Sequence, residues 1–185
     1  MAASSIEPNA YEPAQSAGMV RRLALRFGGG AGLVCALWMV GLQVTGNNGF
    51  GPKQIMAQLL VPLAALASEW FLRRELKPEK PGLGRSLGVG LLTVLIAAAI
   101  SAASVLGLGF AEGESALARN RAEVREIVRA QQRENPKVKR TAQEVAQQMQ
   151  NVDNLTVQDL VVSNFTVVVL FGLALGLPGG IFFRE

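Results

Sequence analysis

Residues that could do chemistry are few in this chain of 185 residues. The sequence contains no histidine and a single cysteine, Cys35, which lies in an apolar run. The absence of histidine excludes Ser-His and Cys-His nucleophile pairs and any zinc site that uses imidazole. A lone thiol in apolar surroundings forms no intrachain disulfide and is unreactive. We therefore expect no catalytic residue, no metal site, no cofactor and no enzymatic activity.

Glu69 is the only acidic residue inside an apolar run. A carboxylate within a membrane span is a functional hypothesis by default. Arg73 follows one turn later, in the Glu-before-Arg order that stabilises a helical pair. We favour an ion pair at the membrane interface over a proton or ion relay. Asn164 and Ser163 enter the last apolar run at a similarly shallow depth, so Glu69 and Asn164 are the candidate polar residues within the membrane.

The segment GLGRSLGVG, residues 82–90, has the spacing of a glycine-rich phosphate loop. A dinucleotide site needs such a loop between a strand and a helix. Here the neighbours are a proline-rich basic loop and an apolar run. The sequence does not predict a nucleotide site.

Four apolar runs are each long enough to cross a hydrocarbon core of roughly 30 Å. Half of the residues are apolar, and they are clustered rather than interleaved with polar ones, which is typical of membrane spans. The runs are Leu23–Val44, Ile55–Leu72, Leu87–Phe110 and Leu160–Phe183. We predict an all-α integral membrane four-helix bundle with a helical polar insert between the third and fourth spans. The predicted divisions are a polar tail (1–20), three spans (21–110), the insert (111–159) and the fourth span with the C-terminus (160–185).

Lysine and arginine in short loops predict the orientation of the spans. The first turn, between spans one and two, contains only Lys53, whereas the flank before span one and the loop after span two are basic. The cations of these two segments are Arg21, Arg22, Arg26, Arg73, Arg74, Lys77, Lys80 and Arg85. We therefore expect both termini in the cytoplasm and the insert on the opposite side.

Small residues recur at the spacing that lets membrane helices approach closely. Gly28 and Gly32 are four residues apart in span one, and Gly172, Gly176 and Gly180 repeat this spacing in span four. We favour packing within the chain, and homodimerisation is the alternative. In span three, Ser101 and Ser104 could form hydrogen bonds between helices. Pro178 removes a backbone donor and should bend the end of span four.

The insert reads as two helices with a break at Asn135-Pro136, because proline disfavours a helical residue before it. Thr141 opens TAQE, a capping box that predicts a helix start, and TVQD from Thr156 repeats the pattern before span four. A narrow apolar stripe follows the break, at Val138, Ala142, Val145 and Met149. We favour a solvated helical hairpin whose stripe lies against its twin helix or the membrane. The alternative is a docking surface or a coiled-coil arm.

The layout resembles a bacterial membrane family catalogued as domain of unknown function 4199. The matching parts are VREIVRAQQREN, TAQEVAQQMQ and GLALGLPGGIFFRE, and the likeness covers most of Met19 to Glu185. The last span departs from the family pattern by containing Pro178 and by ending in Arg184-Glu185. The resemblance implies an integral protein of a bacterial inner membrane without assigned activity, so it transfers no catalytic residues.

The leading functional hypothesis is a non-enzymatic scaffold or accessory subunit that binds itself or another membrane protein. It rests on the small-residue spacing, the polar insert and the lack of a reactive cluster. The expected partners are the lipid bilayer and a second copy or another membrane protein; the balanced charges of the insert argue against nucleic acid. The alternative is a component of a small-solute transporter or channel. Its path would be lined by Glu69, Ser101, Ser104 and Asn164.

Overall fold

The computed structural model describes residues 11–134 and 141–184, and within these ranges the chain is helical apart from turns. The predicted all-helical class is therefore confirmed. The predicted break at Asn135-Pro136 and the start of the apolar stripe at Val138 lie outside the described residues. The helices are α1 (Tyr11–Val44), α2 (Ile55–Gln58, after a single 3-10 turn at Pro52–Gln54), α3 (Leu60–Glu75), α4 (Gly82–Glu134), α5 (Ala142–Asp153) and α6 (Val157–Phe182).

Four helical segments are long and apolar enough to cross a membrane, by length and composition. They are Ala17–Val44, Pro52–Glu75, Gly82–Glu134 and Val157–Phe182. Large apolar side chains stay exposed around them, such as Leu37 (71% exposed), Met56 (68%) and Leu170 (63%). So wide an apolar surface is foreign to a soluble monomer and suits contact with lipid tails. The chain has the architecture of a helical membrane protein.

Helix α4 lies at the centre of the assembly and packs against α1, α3 and α6. The middle of the core consists of small and β-branched side chains, among them Val61, Ala65, Val94, Ala98 and Val168. All five are fully buried. Small side chains let the helix backbones approach closely, which maximises dispersion contacts where lipid gives no hydrophobic drive.

One end of the assembly is basic. The start of α4 meets the C-terminus there, because the Gly82 amide donates to the Arg184 carbonyl at 3.3 Å. Arg22 at the beginning of α1 forms an ion pair of 3.0 Å with Glu75 at the end of α3. Arg74 lies 5.8 Å above the ring of the half-exposed Trp70. Aromatic and cationic side chains of this kind anchor a helix at the headgroup level.

The opposite end contains the polar insert, and Gly113 redirects α4 into it. Gly113 adopts φ 63° and ψ −148°, which bends the helix between its apolar and polar halves. Arg121 and Arg125 then hold the polar half of α4 to the returning segment. Arg121 donates to the Leu155 carbonyl from Nε at 3.1 Å and from Nη2 at 2.7 Å, and Arg125 Nε donates to Asp153 at 2.7 Å.

Candidate functional site

A cavity of about 410 Å3 lies between the insert and the end of the apolar helices; we call it the outer cavity. The turn after α1, the start of the second span, α4 and the start of α6 all contribute to its wall. Its size falls within the range of small-molecule sites, which are apolar clefts with a few placed polar groups. Apolar side chains such as Phe50, Val105 and Leu160 line much of it.

The floor of the outer cavity is a chain of hydrogen-bonded polar side chains. Asn164 Nδ2 on α6 donates to Gln54 Oε1 at 2.8 Å, and Ser101 Oγ on α4 donates to Asn164 Oδ1 at 2.8 Å. All three side chains are buried. Asn164, predicted from sequence as an intramembrane polar residue, is therefore the link between two other spans. Ser104 instead donates to the Ile100 carbonyl of its own helix at 2.8 Å.

A second polar cluster, which includes the cavity-lining Asn120, lies on the insert side. Asn48, in the turn after α1, donates to Asn120 Oδ1 at 3.0 Å and to Glu123 Oε2 at 2.6 Å. Asn48 and Asn120 are both buried. This cluster joins the polar half of α4 to the turn after α1.

Two side chains that line the cavity carry a buried polar atom without a protein partner. These atoms are Oε1 of Gln58, an acceptor, and Nδ2 of Asn120, a donor. An unpaired buried polar group costs free energy, so native structures retain few of them. Gln58 also lies at the break between α2 and α3, which is a single residue, Leu59, that keeps helical dihedral angles (φ −62°, ψ −17°). Pro62, four residues after Gln58, cannot donate to the Gln58 carbonyl, which accounts for the break.

A proline within a membrane helix leaves one backbone carbonyl without its helical donor, and such a group is tolerated where it is buried in protein or lines a cavity. The missing helical hydrogen bond at Gln58 and the unpaired side-chain atoms of Gln58 and Asn120 support the same interpretation. The outer cavity is a candidate binding site.

Glu69, the predicted intramembrane carboxylate, lies far from this cavity, toward the basic end. Its side chain is completely buried, and neither carboxylate oxygen has a hydrogen-bond partner. The predicted ion pair with Arg73 is therefore wrong. Helix α3 turns Glu69 into the interior against α4 and α6, whereas the sequence pattern placed it at the membrane surface.

Glycines surround the Glu69 carboxyl. A β-carbon at position 90 in α4 would overlap Oε1, and a β-carbon at position 179 in α6 would overlap Oε2. A β-carbon at position 176 in α6 would lie 4.0 Å from Oε1, without overlap. We call Glu69 with Gly90, Gly176 and Gly179 the glycine cradle.

The glycines predicted for helix packing contact other helices of the same chain. Gly28 faces Thr93 and Ile96, and Gly32 faces Ile100, all on α4. On α6, Gly172 faces Val94 and Gly180 faces Leu87, again on α4, while Gly176 faces Ala65 on α3. These close approaches hold α1 and α6 against the central helix.

An apolar layer separates the outer cavity from the glycine cradle. Gly179 comes fifteen positions after Asn164 on α6, which corresponds to about 22 Å of helix. Fully buried Val61, Val94 and Val168 fill this interval. Within the described residues, no cluster of three or more histidine, cysteine, aspartate or glutamate side chains could hold a metal ion.

Sequence reasoning missed Gln54, Gln58, Asn48 and Asn120, which provide most of the cavity's polar groups. The segment around Asn48 was interpreted only as a tight turn, and Asn120 as part of a solvated helix. A signal was available in the second span, where Pro52 and Pro62 flank two glutamines near the end of an apolar run. Proline-interrupted spans often mark binding sites.

The fold and these buried polar groups define a helical membrane protein with four candidate spans and a polar cavity at one end. The chain belongs to the family described as a protein of unknown function (DUF4199), whose model matches residues 26–185. The family predicted from the sequence is thus confirmed. No curated protein and no solved structure matches the chain.

Proposed function

We propose that this protein binds a small uncharged polar solute in the outer cavity and acts, without enzymatic chemistry, as a carrier or channel component. The observation that supports it most is the pair of unpaired buried atoms on the cavity wall, the Gln58 acceptor and the Asn120 donor. A solute that both donates and accepts a hydrogen bond would satisfy them together.

The charge of the cavity wall supports an uncharged solute. Among the described residues that line the cavity there is no lysine or arginine, so an anion would find no counter-charge. The one carboxylate on the wall, Asp159, accepts from the Thr156 backbone N–H at 2.9 Å in its helix cap. Uncharged amides and polyols fit these conditions and the size of the cavity.

The apolar layer supports a carrier closed on the side of the basic end. A solute in the outer cavity would meet Val61, Val94 and Val168 before reaching the other side. Passage would need these helices to move apart, which is the usual behaviour of transporters whose site lies between spans. We further propose that the insert faces away from the cytoplasm, in a bacterial inner membrane.

The experiment is solute flux into vesicles that contain the purified protein, with urea, acetamide and glycerol as probes. We expect faster reswelling than in protein-free vesicles for at least one probe. In Gln58→Leu that rate should fall several-fold while thermal stability stays equal or rises, since the unpaired acceptor is removed. Ser104→Ala, whose hydroxyl bonds only its own helix, is the matched control and should keep the rate. Flux equal to protein-free vesicles for all three probes would contradict the proposal.

The second candidate function is the scaffold or accessory role. The observation that favours it is the exposed outer face of α5, since Val152 is buried and most of the helix's glutamines are solvent-exposed. The packing glycines already contact helices of the same chain, so a partner would meet the insert rather than the glycine rows. Absence of flux together with a recovered protein partner would favour this role.

A further inference from the structure

The glycine cradle leaves the Glu69 carboxyl without a group that would balance a negative charge. An ionised carboxylate that is completely buried, with no hydrogen bond to either oxygen, is very costly in a protein interior. Such groups bind a proton, a metal ion or a cationic side chain. The surroundings of Glu69 decide among these three.

Among residues 11–134 and 141–184, no cationic side chain pairs with Glu69. Arg73 lies one turn away on α3, Arg85 is five residues before Gly90 on α4, and Arg184 is five residues after Gly179 on α6. On α1, Arg22 and Arg26 are exposed, and Arg22 pairs with Glu75. None of them reaches the Glu69 oxygens, which have no partner.

A metal ion is also a poor fit for the cradle. Hard cations need about six oxygen ligands, but Glu69 belongs to no cluster of three or more metal-binding side chains within the described residues, and the glycines against its carboxyl offer no side-chain ligand. A proton needs no other ligand and no extra space. The surroundings therefore select the proton.

The cradle lies beside the turn of α6 that contains Pro178. Pro178 cannot donate to the Ala174 carbonyl, so the turn that contains Gly179 lacks one helical hydrogen bond. This turn is held by the bond from the Phe183 amide to the Gly179 carbonyl at 2.8 Å. It ends at the basic end of the molecule, where water is close, and is the element that could move away from Glu69.

We propose that Glu69 is a proton-binding site that locks the last turn of α6 against α3 and α4. We call the contact between this turn and the two helices the seam, and loss of the proton opens the seam to water. The closed seam holds the carboxyl neutral, whereas an open seam would hydrate the carboxylate. The closed form thus binds the proton more tightly, and raising the pH shifts the population toward the open form. This site is separate from the outer cavity and does not depend on solute binding there.

Infrared spectroscopy of the full chain in lipid discs tests the proton. We expect the C=O band of a protonated carboxyl at neutral pH, lost on alkaline titration and absent in Glu69→Gln. Glu79→Gln, which changes an exposed carboxyl of the same end, should retain the band. If Glu69→Gln does not fold, Glu69→Asp should shift the band rather than remove it. A wild-type spectrum without the band at neutral pH would overturn the proposal.

Hydrogen exchange tests the seam. After correction for the intrinsic pH dependence, the amides of residues 179–183 should exchange about tenfold faster per pH unit over the range where Glu69 loses its proton. In Glu69→Gln the corrected rate should not change with pH, and residues 31–42 of α1 should behave alike in both proteins. An equal acceleration at residues 179–183 in both proteins would refute the coupling. Neither readout involves a solute, so failure here leaves the flux experiment unaffected.

Discussion

At the scale of single residues, the Glu69 carboxyl packs against glycines where a charged partner would be expected. A side chain at position 90 or 179 would occupy the space of the carboxyl group, so the cradle exists only because these positions have no β-carbon. Elsewhere in α4, glycines such as Gly84 and Gly88 have nothing within 4 Å of the missing side chain. The two kinds of glycine look the same in sequence and differ in what they face.

This difference predicts opposite outcomes for two substitutions two residues apart. Gly90→Ala should destabilise the protein by about 1–3 kcal/mol, because the new methyl group collides with a completely buried side chain. Gly88→Ala should be neutral or stabilising by up to about 1 kcal/mol, since it only raises helix propensity. Thermal unfolding in detergent measures both. Combining Gly90→Ala with Glu69→Ala should recover much of the loss; equal effects of the two single substitutions would contradict the cradle.

Residue-scale prediction from the sequence succeeded in part. The singular position of Glu69 was visible because no other acid lies in an apolar run. Its surroundings were not visible, since Arg73 is its neighbour on the helix whereas Gly90 and Gly179 come from distant parts of the chain. Local sequence patterns identify a residue whose burial costs free energy, but tertiary packing determines which groups lie against it.

At the scale of elements, the helix starts were the easiest features to predict. Both predicted capping boxes are formed, at Thr141 with Glu144 and at Thr156 with Asp159. Caps depend on residues three apart, so the sequence contains all the information. The missing helical hydrogen bond to the Gln58 carbonyl was not predicted, although Pro62 is its local cause. The helix in the first half of the insert was expected from its apolar period, whereas the bend at Gly113, which joins it to the third span, was not.

Gly113 gives the element-scale prediction. Its φ of 63° and ψ of −148° belong to a region that only glycine occupies at low cost. Gly113→Ala should therefore cost about 1–3 kcal/mol in thermal unfolding. It should also loosen the insert, which would appear as faster hydrogen exchange at residues 116–121. Gly107→Ala, at a helical glycine of α4 with open space at its side chain, is the control and should neither lower the stability nor loosen the insert. Similar effects at both positions would show that the bend does not hold the insert.

At the scale of the whole molecule, the two ends of the long axis differ in charge and in structure. The basic end joins the start of α1, the end of α3, the start of α4 and the C-terminus, while the insert and the outer cavity occupy the other end. Four candidate spans and the grouping of cations could be predicted from composition and order alone. The outer cavity could not, because it forms between four segments whose pairing no local pattern specifies.

This difference between the two ends predicts the orientation of the molecule in its membrane. With the basic end in the cytoplasm, a cysteine in α5 should be reached from outside and a cysteine in the loop before α4 only from inside. We would introduce Gln147→Cys and Lys80→Cys, both at exposed positions, and label intact spheroplasts with a membrane-impermeant maleimide. Gln147→Cys should label at once and Lys80→Cys only after permeabilisation. The unmodified protein is the control, because Cys35 is buried and should not react. The reverse labelling pattern would show the opposite orientation, in which the outer cavity opens to the cytoplasm.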